Sequence, residues 1–183
     1  TLRCTYCDTT YAYDEGRIIT VDELLRQIAA YPCRLVEVTG GEPLLQDATP
    51  RLIQKLLDRG HTVLLETNGT LDITPVDSRC IRIMDIKCPS SGEAAKNNPA
   101  NLSLLAAHDE VKFVIAVKED YAYAKKMLPL LRQHAAPGHI HFSPAYGRCD
   151  PAALASWILE DGLPVRLSLQ LHKTIWPHAK RGV

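Results

Sequence analysis

The chain has 183 residues, of which 46% are hydrophobic and 23% charged, proportions typical of a globular protein with one sizeable core. Its 21 basic and 21 acidic side chains give a formal net charge of +0, which excludes bulk attraction to nucleic acid or anionic lipid. No apolar run is long enough for a bilayer and no signal-peptide pattern opens the chain, so we expect no membrane partner. The six cysteines are scattered apart from one pair, which favours a reducing, cytoplasmic location.

Strands and helices alternate along the chain. Thr20 and Glu23 form a capping box at the start of the first helix. The pattern then predicts strands at 35–39, 61–67, 80–86, 111–116, 140–143 and 165–171, with helices at 47–59, 101–107, 121–134 and 151–160 and a long loop or flap at 88–101. This alternation favours a parallel sheet with right-handed crossovers, so we predict a single α/β domain over residues 1–183.

Polar and glycine-containing segments follow four of the predicted strands. They lie at 39–42, 66–69, 85–87 and 143–144. The carboxyl ends of parallel strands form one rim, where such folds build their sites. Several segments meeting at one rim are stronger evidence for a site than any single motif.

The segment Thr39-Gly-Gly-Glu-Pro43 follows the first of these strands. Two glycines let the backbone approach a ligand closely, and Glu42 adds a negative charge. This combination suits an ammonium group better than a phosphate, because a phosphate site favours exposed N–H groups and a following lysine. An ordinary strand-ending turn explains the motif about equally well.

Other strand ends carry single candidate residues. Glu66 is a charge in an apolar strand and needs a partner if it is buried. Asp85 and Lys87 are predicted to share one face, as a ribose-binding carboxylate or as a salt-bridged strand end. His172 is predicted at the end of the last strand, where it is a candidate for binding an anionic substrate. The cysteines outside the opening pair are expected to behave as small apolar residues; they are Cys33, Cys80, Cys88 and Cys149.

The opening Cys4-Thr-Tyr-Cys7 allows three interpretations: a redox disulfide, half of a zinc site, or part of an iron–sulfur site. A redox motif of the thioredoxin type has a different chain order, and no second ligand pair for zinc is apparent. An iron–sulfur cluster remains, and it needs at least three thiolates if one iron is kept open for a substrate.

Cys-x-x-Cys followed by Thr-Gly-Gly-Glu-Pro resembles the radical S-adenosylmethionine (SAM) enzymes, whose hallmark is C-x-x-x-C-x-x-C. Cys4 and Cys7 match its second and third cysteines, and the first would precede Thr1. With Cys7-Asp-Thr9, Glu66-Thr-Asn-Gly-Thr70, Lys87 with its proline-serine loop, and Leu167-Ser-Leu-Gln-Leu-His-Lys173, the chain is similar to the 7-carboxy-7-deazaguanine synthase family. The resemblance implies an open, partial (β/α) barrel whose first strand is absent from this chain.

The resemblance also implies a reaction and its cofactors. A reduced [4Fe-4S] cluster cleaves SAM, and the resulting radical starts ring contraction of 6-carboxy-5,6,7,8-tetrahydropterin to 7-carboxy-7-deazaguanine with loss of ammonia. SAM is regenerated, and Mg²⁺ assists. This carbon–nitrogen lyase serves queuosine biosynthesis, a tRNA modification pathway. A flavodoxin-type electron donor and a homodimer are implied as partners, with no direct contact to nucleic acid.

Residue roles follow from the same resemblance. The implied cluster ligands are Cys4 and Cys7, and the implied Mg²⁺ ligand is Thr9. The implied SAM contacts are Tyr6, Gly41, Glu42, Asp85, Ile86 and Lys87. The implied substrate contacts are Thr39 and His172.

The chain departs from the family pattern in two places. A glycine-rich segment and an arginine-bearing strand that precede the family's cysteines are missing, and the family's Ser-Pro-Lys is Asp85-Ile-Lys87. We therefore expect upstream residues in the gene and expect the chain by itself to be inactive. Two alternatives remain: another small radical SAM enzyme such as a glycyl-radical activase, or a cluster-less remnant that only binds a ligand.

Overall fold

One parallel sheet organises the chain in a computed structural model that describes residues 1–13, 16–136 and 138–179. Its six strands lie in chain order, and each pairs in parallel with the next. They are β1 (Leu35–Val38), β2 (Thr62–Thr67), β3 (Ile81–Asp85), β4 (Glu110–Ile115), β5 (Ile140–Pro144) and β6 (Arg166–Leu167). β1 and β6 are the two edges, so the predicted open, partial barrel is confirmed.

Five α-helices accompany the strands in the described ranges: α1 (Val21–Ala29), α2 (Thr49–Asp58), α3 (Lys118–Leu131), α4 (Pro151–Glu160) and α5 (Leu171–Ile175). The hydroxyl of Thr20 accepts a hydrogen bond from the Glu23 N–H at 3.2 Å, which confirms the predicted start of α1. Asp150 caps α4 in the same way, accepting from the Ala152 N–H at 3.0 Å. Local capping chemistry therefore sets where these two helices begin.

The two faces of the sheet have different chemistry. Along β2, β4 and β5 the residues that face the helices are apolar and fully buried, as at Leu65, Phe113 and Phe142. The opposite, concave face carries half-buried polar residues, among them Glu66 and Lys112. Apolar burial on the helix side stabilises the fold, which leaves the concave side and its rim for chemistry.

Three local predictions are wrong. The last strand comprises only Arg166–Leu167, and His172 lies in α5 rather than at a strand end. The hydrogen bond of the Trp176 N–H to the His172 carbonyl shows the helical turn that replaces the predicted extended chain. The predicted helix at 101–107 is a 3-10 helix at Pro99–Leu104. Cys33 is exposed rather than packed, whereas the other three isolated cysteines are buried as predicted.

The predicted flap between β3 and β4 is well ordered by hydrogen bonds. It contains three 3-10 helices, Pro89–Ser91, Ala94–Lys96 and Pro99–Leu104. Asn101 is almost completely buried and donates to the carbonyls of Gly69 and Leu71 at 2.9 and 2.7 Å.

In the described ranges, each helix is too short or too polar to cross a lipid bilayer.

Candidate cofactor and substrate site

The two-cysteine loop packs on the segment that follows β3. The N–H of Thr5 donates to the carbonyl of Ser91 at 3.0 Å, and the Thr5 hydroxyl donates to the carbonyl of Ser90 at 2.8 Å. Within the loop, the N–H of Cys7 donates to the carbonyl of Cys4 at 3.2 Å, which forms a turn. The residues after β3 therefore position both thiols at the carboxyl-end rim of the sheet.

A buried carboxylate fixes this supporting segment to α3. Asp120 is fully buried and accepts hydrogen bonds from the Ser90 N–H at 3.0 Å and from the Ser90 hydroxyl. It also accepts from the N–H groups of Ala116 and Val117 at 2.9 and 3.3 Å, at the start of α3. One side chain thus ties the end of β4, the start of α3 and the platform under the cysteine loop together.

The two thiols lie close to the charges at the end of β3. Burial raises the pKa of the Cys4 thiol, and the nearby Lys87 ammonium opposes that rise. A hydrogen bond with Cys7, together with burial, raises the pKa of Tyr13 to about 12. A neighbouring cation favours thiolates, which are the form of cysteine that ligates metals.

Asp85 and Lys87 form the ion pair that one sequence interpretation predicted. Lys87 Nζ lies 2.7 Å from Asp85 Oδ2, so the two side chains share a face as expected. Burial disfavours the Lys87 ammonium, but Asp85 and the neighbouring thiols outweigh it and raise its pKa. Asp85 Oδ1 is buried and accepts no hydrogen bond from the described residues. An unpaired buried acceptor fits a hydroxyl donor such as a ribose, so both predicted roles of Asp85 are compatible.

Ile86 lies between Asp85 and Lys87 in the chain but, unlike them, packs into the apolar core. Its side chain is 5% exposed and belongs to the main apolar cluster, and its N–H donates to the carbonyl of Lys112 at 2.9 Å. Both its side chain and its N–H are therefore occupied within the protein. Ile86 aligns the strand end and offers a ligand only its carbonyl.

The Glu42 carboxylate accepts its hydrogen bonds from groups within the protein. It is 5% exposed and accepts from the Thr67 hydroxyl at 2.9 Å, the Asn68 N–H at 2.8 Å and the Leu44 N–H at 3.1 Å. This network attaches the loop after β1 to the end of β2. A Cβ on Gly41 would meet no atom within 4 Å, so the glycine backbone is the part of the motif that remains open to a ligand. Thr39 is exposed beside it.

Tyr6 is half-buried between the cysteines and the sheet. Its hydroxyl donates to the carbonyl of Val114 at 3.4 Å, and burial raises its pKa. Arg148 donates to the carbonyl of Thr5 at 2.9 Å, and its guanidinium lies 5.8 Å from the centre of the Tyr6 ring. The sequence analysis missed Arg148, since an arginine in a glycine-containing turn looks like an ordinary surface residue.

Asp8 and Thr9 connect the cysteine loop to α5. The Thr9 hydroxyl donates to Asp8 Oδ1 at 3.0 Å, and Lys173 Nζ lies 3.1 Å from Asp8 Oδ2. Burial would raise the pKa of Asp8, but hydrogen bonds from Lys173 and Thr9 lower it below its usual value. The carboxylate of Asp8 and the hydroxyl of Thr9 are oxygen donors of the type that Mg²⁺ prefers, although Lys173 already neutralises the carboxylate.

A cavity of about 440 Å³ lies beside this contact, between the loop after β5 and α5. Its wall includes Arg148, Gln170 and Lys173, and Gln170 Oε1 is buried with no hydrogen bond from the described residues. His172, the predicted substrate residue, is half-buried in α5 but does not line this cavity. The predicted residue is therefore a chain neighbour of the lining residues Gln170 and Lys173, and its role in substrate binding stays a prediction.

The thiol set matches a cluster only in part. In the described part of the chain no three His, Cys, Asp or Glu side chains converge as a metal site. Cys4 and Cys7 supply two of the three thiolates that an open cluster site needs. The unpaired Asp85 oxygen and the open glycine backbone independently fit the ribose and aminoacyl groups of SAM.

The sequence model of the family described as "Radical SAM superfamily" matches residues 1–146, and the chain therefore belongs to that superfamily. It is 46% identical over 185 residues to the 7-carboxy-7-deazaguanine synthase of Chlorobaculum tepidum, covering 98% of this chain and 83% of that protein. The Koribacter versatilis protein of the same name is 39% identical over 199 residues, with 100% and 87% covered. The chain is a member of the 7-carboxy-7-deazaguanine synthase family.

Two solved structures share the fold. QueE from Escherichia coli superposes with a TM-score of 0.63 at 19% identity, covering 91% of this chain and 79% of that one. Streptococcus suis SuiB, solved bound to S-adenosylmethionine, gives a TM-score of 0.61 at 11% identity, with 96% and 46% covered. At these identities the likeness concerns the fold alone, and it agrees with the open parallel sheet.

Proposed function

We propose that this protein catalyses the radical SAM ring contraction of 6-carboxy-5,6,7,8-tetrahydropterin to 7-carboxy-7-deazaguanine with loss of ammonia, in queuosine and deazapurine biosynthesis. One observation carries the proposal: the Cys4–Cys7 loop is hydrogen-bonded through Thr5 to the segment that follows the Asp85–Lys87 pair. Asp85 keeps one buried oxygen unpaired at the same rim. The synthase relatives, matched over almost the whole chain, favour this reaction over a glycyl-radical activase.

The proposed roles divide between cofactor and substrate. When bound, a [4Fe-4S] cluster and SAM supply the radical chemistry, while the protein binds and orients them. Cys4 and Cys7 hold the cluster, and Asp85 accepts from the SAM ribose. The open backbone at Gly41 receives the aminoacyl end, and Glu42 holds that loop in place through its three donors. The remaining proposed contacts are Tyr6, Ile86 and Lys87 for SAM, and Thr39 and His172 for the substrate.

Mg²⁺, the assembly state and the cellular setting belong to the same proposal. Thr9 with Asp8 is the proposed Mg²⁺ site, and Lys173 must move away from Asp8 if both oxygens are to bind the ion. All six cysteines are free, which supports a reducing compartment such as the cytoplasm. The continuous sheet supports one radical SAM core over residues 1–183. A homodimer and a flavodoxin-type electron donor complete the proposal.

The decisive experiment is anaerobic cluster reconstitution of the protein expressed from its complete reading frame, followed by incubation with SAM, reductant and 6-carboxytetrahydropterin. We expect 7-carboxy-7-deazaguanine and ammonia to form in equal amounts. Chelation of Mg²⁺ should lower the rate at which they form. Cys7→Ala should lose the cluster's visible absorption, whereas Cys33→Ala, which removes an exposed thiol outside the site, should retain it. A protein that binds iron normally after Cys7→Ala, or that leaves the pterin unchanged, contradicts the proposal and favours a binding-only remnant.

A further inference from the structure

The backbone just past the end of β3 is held by a side chain of the flap. The N–H of Lys87 donates to Asn97 Oδ1, and Asn97 Nδ2 donates to the carbonyl of Lys87, both at 2.9 Å. The two residues are 10 positions apart in the chain. One amide side chain therefore satisfies both polar backbone groups of a residue that is a proposed SAM contact.

Strand geometry explains why Lys87 needs this partner. The N–H of Ile86 donates to the carbonyl of Lys112 in β4 at 2.9 Å. Successive residues of an extended chain point their N–H groups to opposite edges, so the N–H of Lys87 faces the side of β2. β2 has already ended at Thr67. Asn97 therefore takes the place of a neighbouring strand, because a part-buried N–H and carbonyl need partners.

The flap and α3 hold the Asn97 amide in position. The N–H of Asn97 donates to the carbonyl of Ala94 at 3.3 Å, where the second 3-10 helix of the flap ends. Asn97 Nδ2 also lies 3.4 Å from the hydroxyl oxygen of Tyr123 in α3. The N–H of the next residue, Asn98, donates to the carbonyl of Gly69 at 3.4 Å, beside the end of β2. The half-buried Asn97 is thus fixed on both sides of its amide.

The direction of the Lys87 backbone determines how the charged groups at the rim are presented. Lys87 Nζ lies 2.7 Å from Asp85 Oδ2, and the two side chains are only 13% and 14% exposed. Asp85 Oδ1 is buried and accepts no hydrogen bond from the described residues. The sheet holds β3 itself, which pairs with β2 and β4 along both edges. Loss of the Asn97 amide should therefore disturb the ion pair more than the sheet.

We propose that Asn97 is a positioning residue for SAM binding. Its paired hydrogen bonds with the Lys87 backbone fix the direction of the Asp85–Lys87 ion pair and keep the second Asp85 oxygen available to the ribose. Asn97 acts through Lys87 and does not itself contact SAM. This inference rests on the proposed function, from which the SAM contacts of Asp85 and Lys87 come.

The test compares Asn97→Ala and Asn97→Asp with the control Asn98→Ala. Asn98 is also half-buried, but its Oδ1 accepts from the Ala100 N–H at 3.1 Å at the start of a 3-10 helix. SAM affinity is measured by calorimetry on the reconstituted protein from the complete reading frame. Amide hydrogen exchange at Lys87 is measured by mass spectrometry with fragmentation of the peptide.

We expect Asn97→Ala to weaken SAM binding about tenfold, since two hydrogen bonds that orient its contacts are lost. Exchange at Lys87 should become at least tenfold faster. The KM for SAM should rise, while kcat at saturating SAM stays within about twofold. Asn97→Asp keeps the acceptor for the Lys87 N–H but loses the donor to its carbonyl, and should lie between the wild type and Asn97→Ala in both readouts.

Asn98→Ala should leave SAM affinity and exchange at Lys87 unchanged. If Asn97→Ala does not fold, Asn97→Asp decides the question by the same two readouts. Wild-type SAM affinity in the folded variant, or an equal loss in Asn98→Ala, overturns the inference. A wild-type protein that binds SAM but leaves the pterin unchanged contradicts the proposed reaction while the role of Asn97 stands; one that does not bind SAM removes both.

Discussion

Two ion pairs of nearly equal length cross the same sheet and differ in almost everything else. Arg82 and Asp109 lie 2.5 Å apart on the helix side, with side chains 8% and 0% exposed. Glu66 and Lys112 also lie 2.5 Å apart, but on the concave side with about a quarter of each side chain exposed. The distance between the charges therefore does not distinguish the two pairs.

The hydrogen bonds around each pair do distinguish them. Asp109 accepts from the N–H groups of Arg82 and Ala106 at 2.8 and 2.7 Å in addition to the guanidinium, and Arg82 also donates to the Leu104 carbonyl at 2.8 Å. The buried pair thus joins β3, the start of β4 and the segment between them through several hydrogen bonds. About a quarter of each side chain of the concave pair is exposed, so that pair remains accessible to a ligand. The difference indicates a structural role for the buried pair.

The largest expected effect is on stability at the buried pair. Asp109→Ala leaves the Arg82 guanidinium buried without a counter-charge, which should cost about 3–5 kcal/mol of unfolding free energy. Urea unfolding measures this loss. Asp22→Ala, which breaks the exposed pair with Lys55, is the matched control and should change stability by less than about 1 kcal/mol. Equal losses in both variants would contradict the assigned structural role.

A double substitution sharpens the same point. Arg82→Met combined with Asp109→Leu removes both charges and should recover roughly 2 kcal/mol or more of the loss seen in Asp109→Ala, because no buried charge then remains unpaired. The unfolding free energies of the single and double variants form the cycle. If the double variant is no more stable than Asp109→Ala, the backbone hydrogen bonds to Asp109, rather than the charge, dominate its contribution.

The concave pair should respond differently. We expect Lys112→Met to change the unfolding free energy by less than about 1 kcal/mol, because the remaining Glu66 carboxylate is about a quarter exposed and can be hydrated. Thermal unfolding of the protein without substrate checks this. A loss as large as that of Asp109→Ala would place Lys112 among the structural residues and remove the contrast between the two pairs.

The smallest expected effect is the pH dependence of stability that arises from Glu37. Its pKa is raised in the folded protein, so the folded state holds a proton that the unfolded chain releases above about pH 4.3. Stability should therefore decline as pH rises from that value through the raised pKa. Glu37→Gln cannot titrate and should flatten this decline, as measured by urea unfolding at several pH values. Parallel pH curves for the wild type and variant would show that Glu37 does not keep the proton.

Much of the site was predictable from local patterns. The alternation of apolar runs and turns predicted the parallel sheet, and the glycine and polar residues after Val38 and Thr67 predicted its functional rim. The side-chain period of two in strands predicted that Asp85 and Lys87 share a face, which their 2.7 Å separation confirms. These features depend on residues close together in sequence.

Errors arose where distant contacts decide the outcome. The segment 165–171 has the composition of a strand, yet only Arg166 and Leu167 pair with β5, and α5 follows from Leu171. The partners of Glu42 could not be predicted either, because its carboxylate accepts from donors at the end of β2, 25 and 26 positions away in the chain.

The sequence by itself determined the class of fold, the rim on which the candidate site lies and the pair of thiols proposed for it, because capping, periodicity and turn chemistry act over a few residues. Only the tertiary structure decided that Arg148 contacts the cysteine loop and that Lys112 neutralises Glu66. Those contacts join residues 143 and 46 positions apart in the chain. The crossover helices and the strand register determine these contacts. Local sequence patterns do not predict that register.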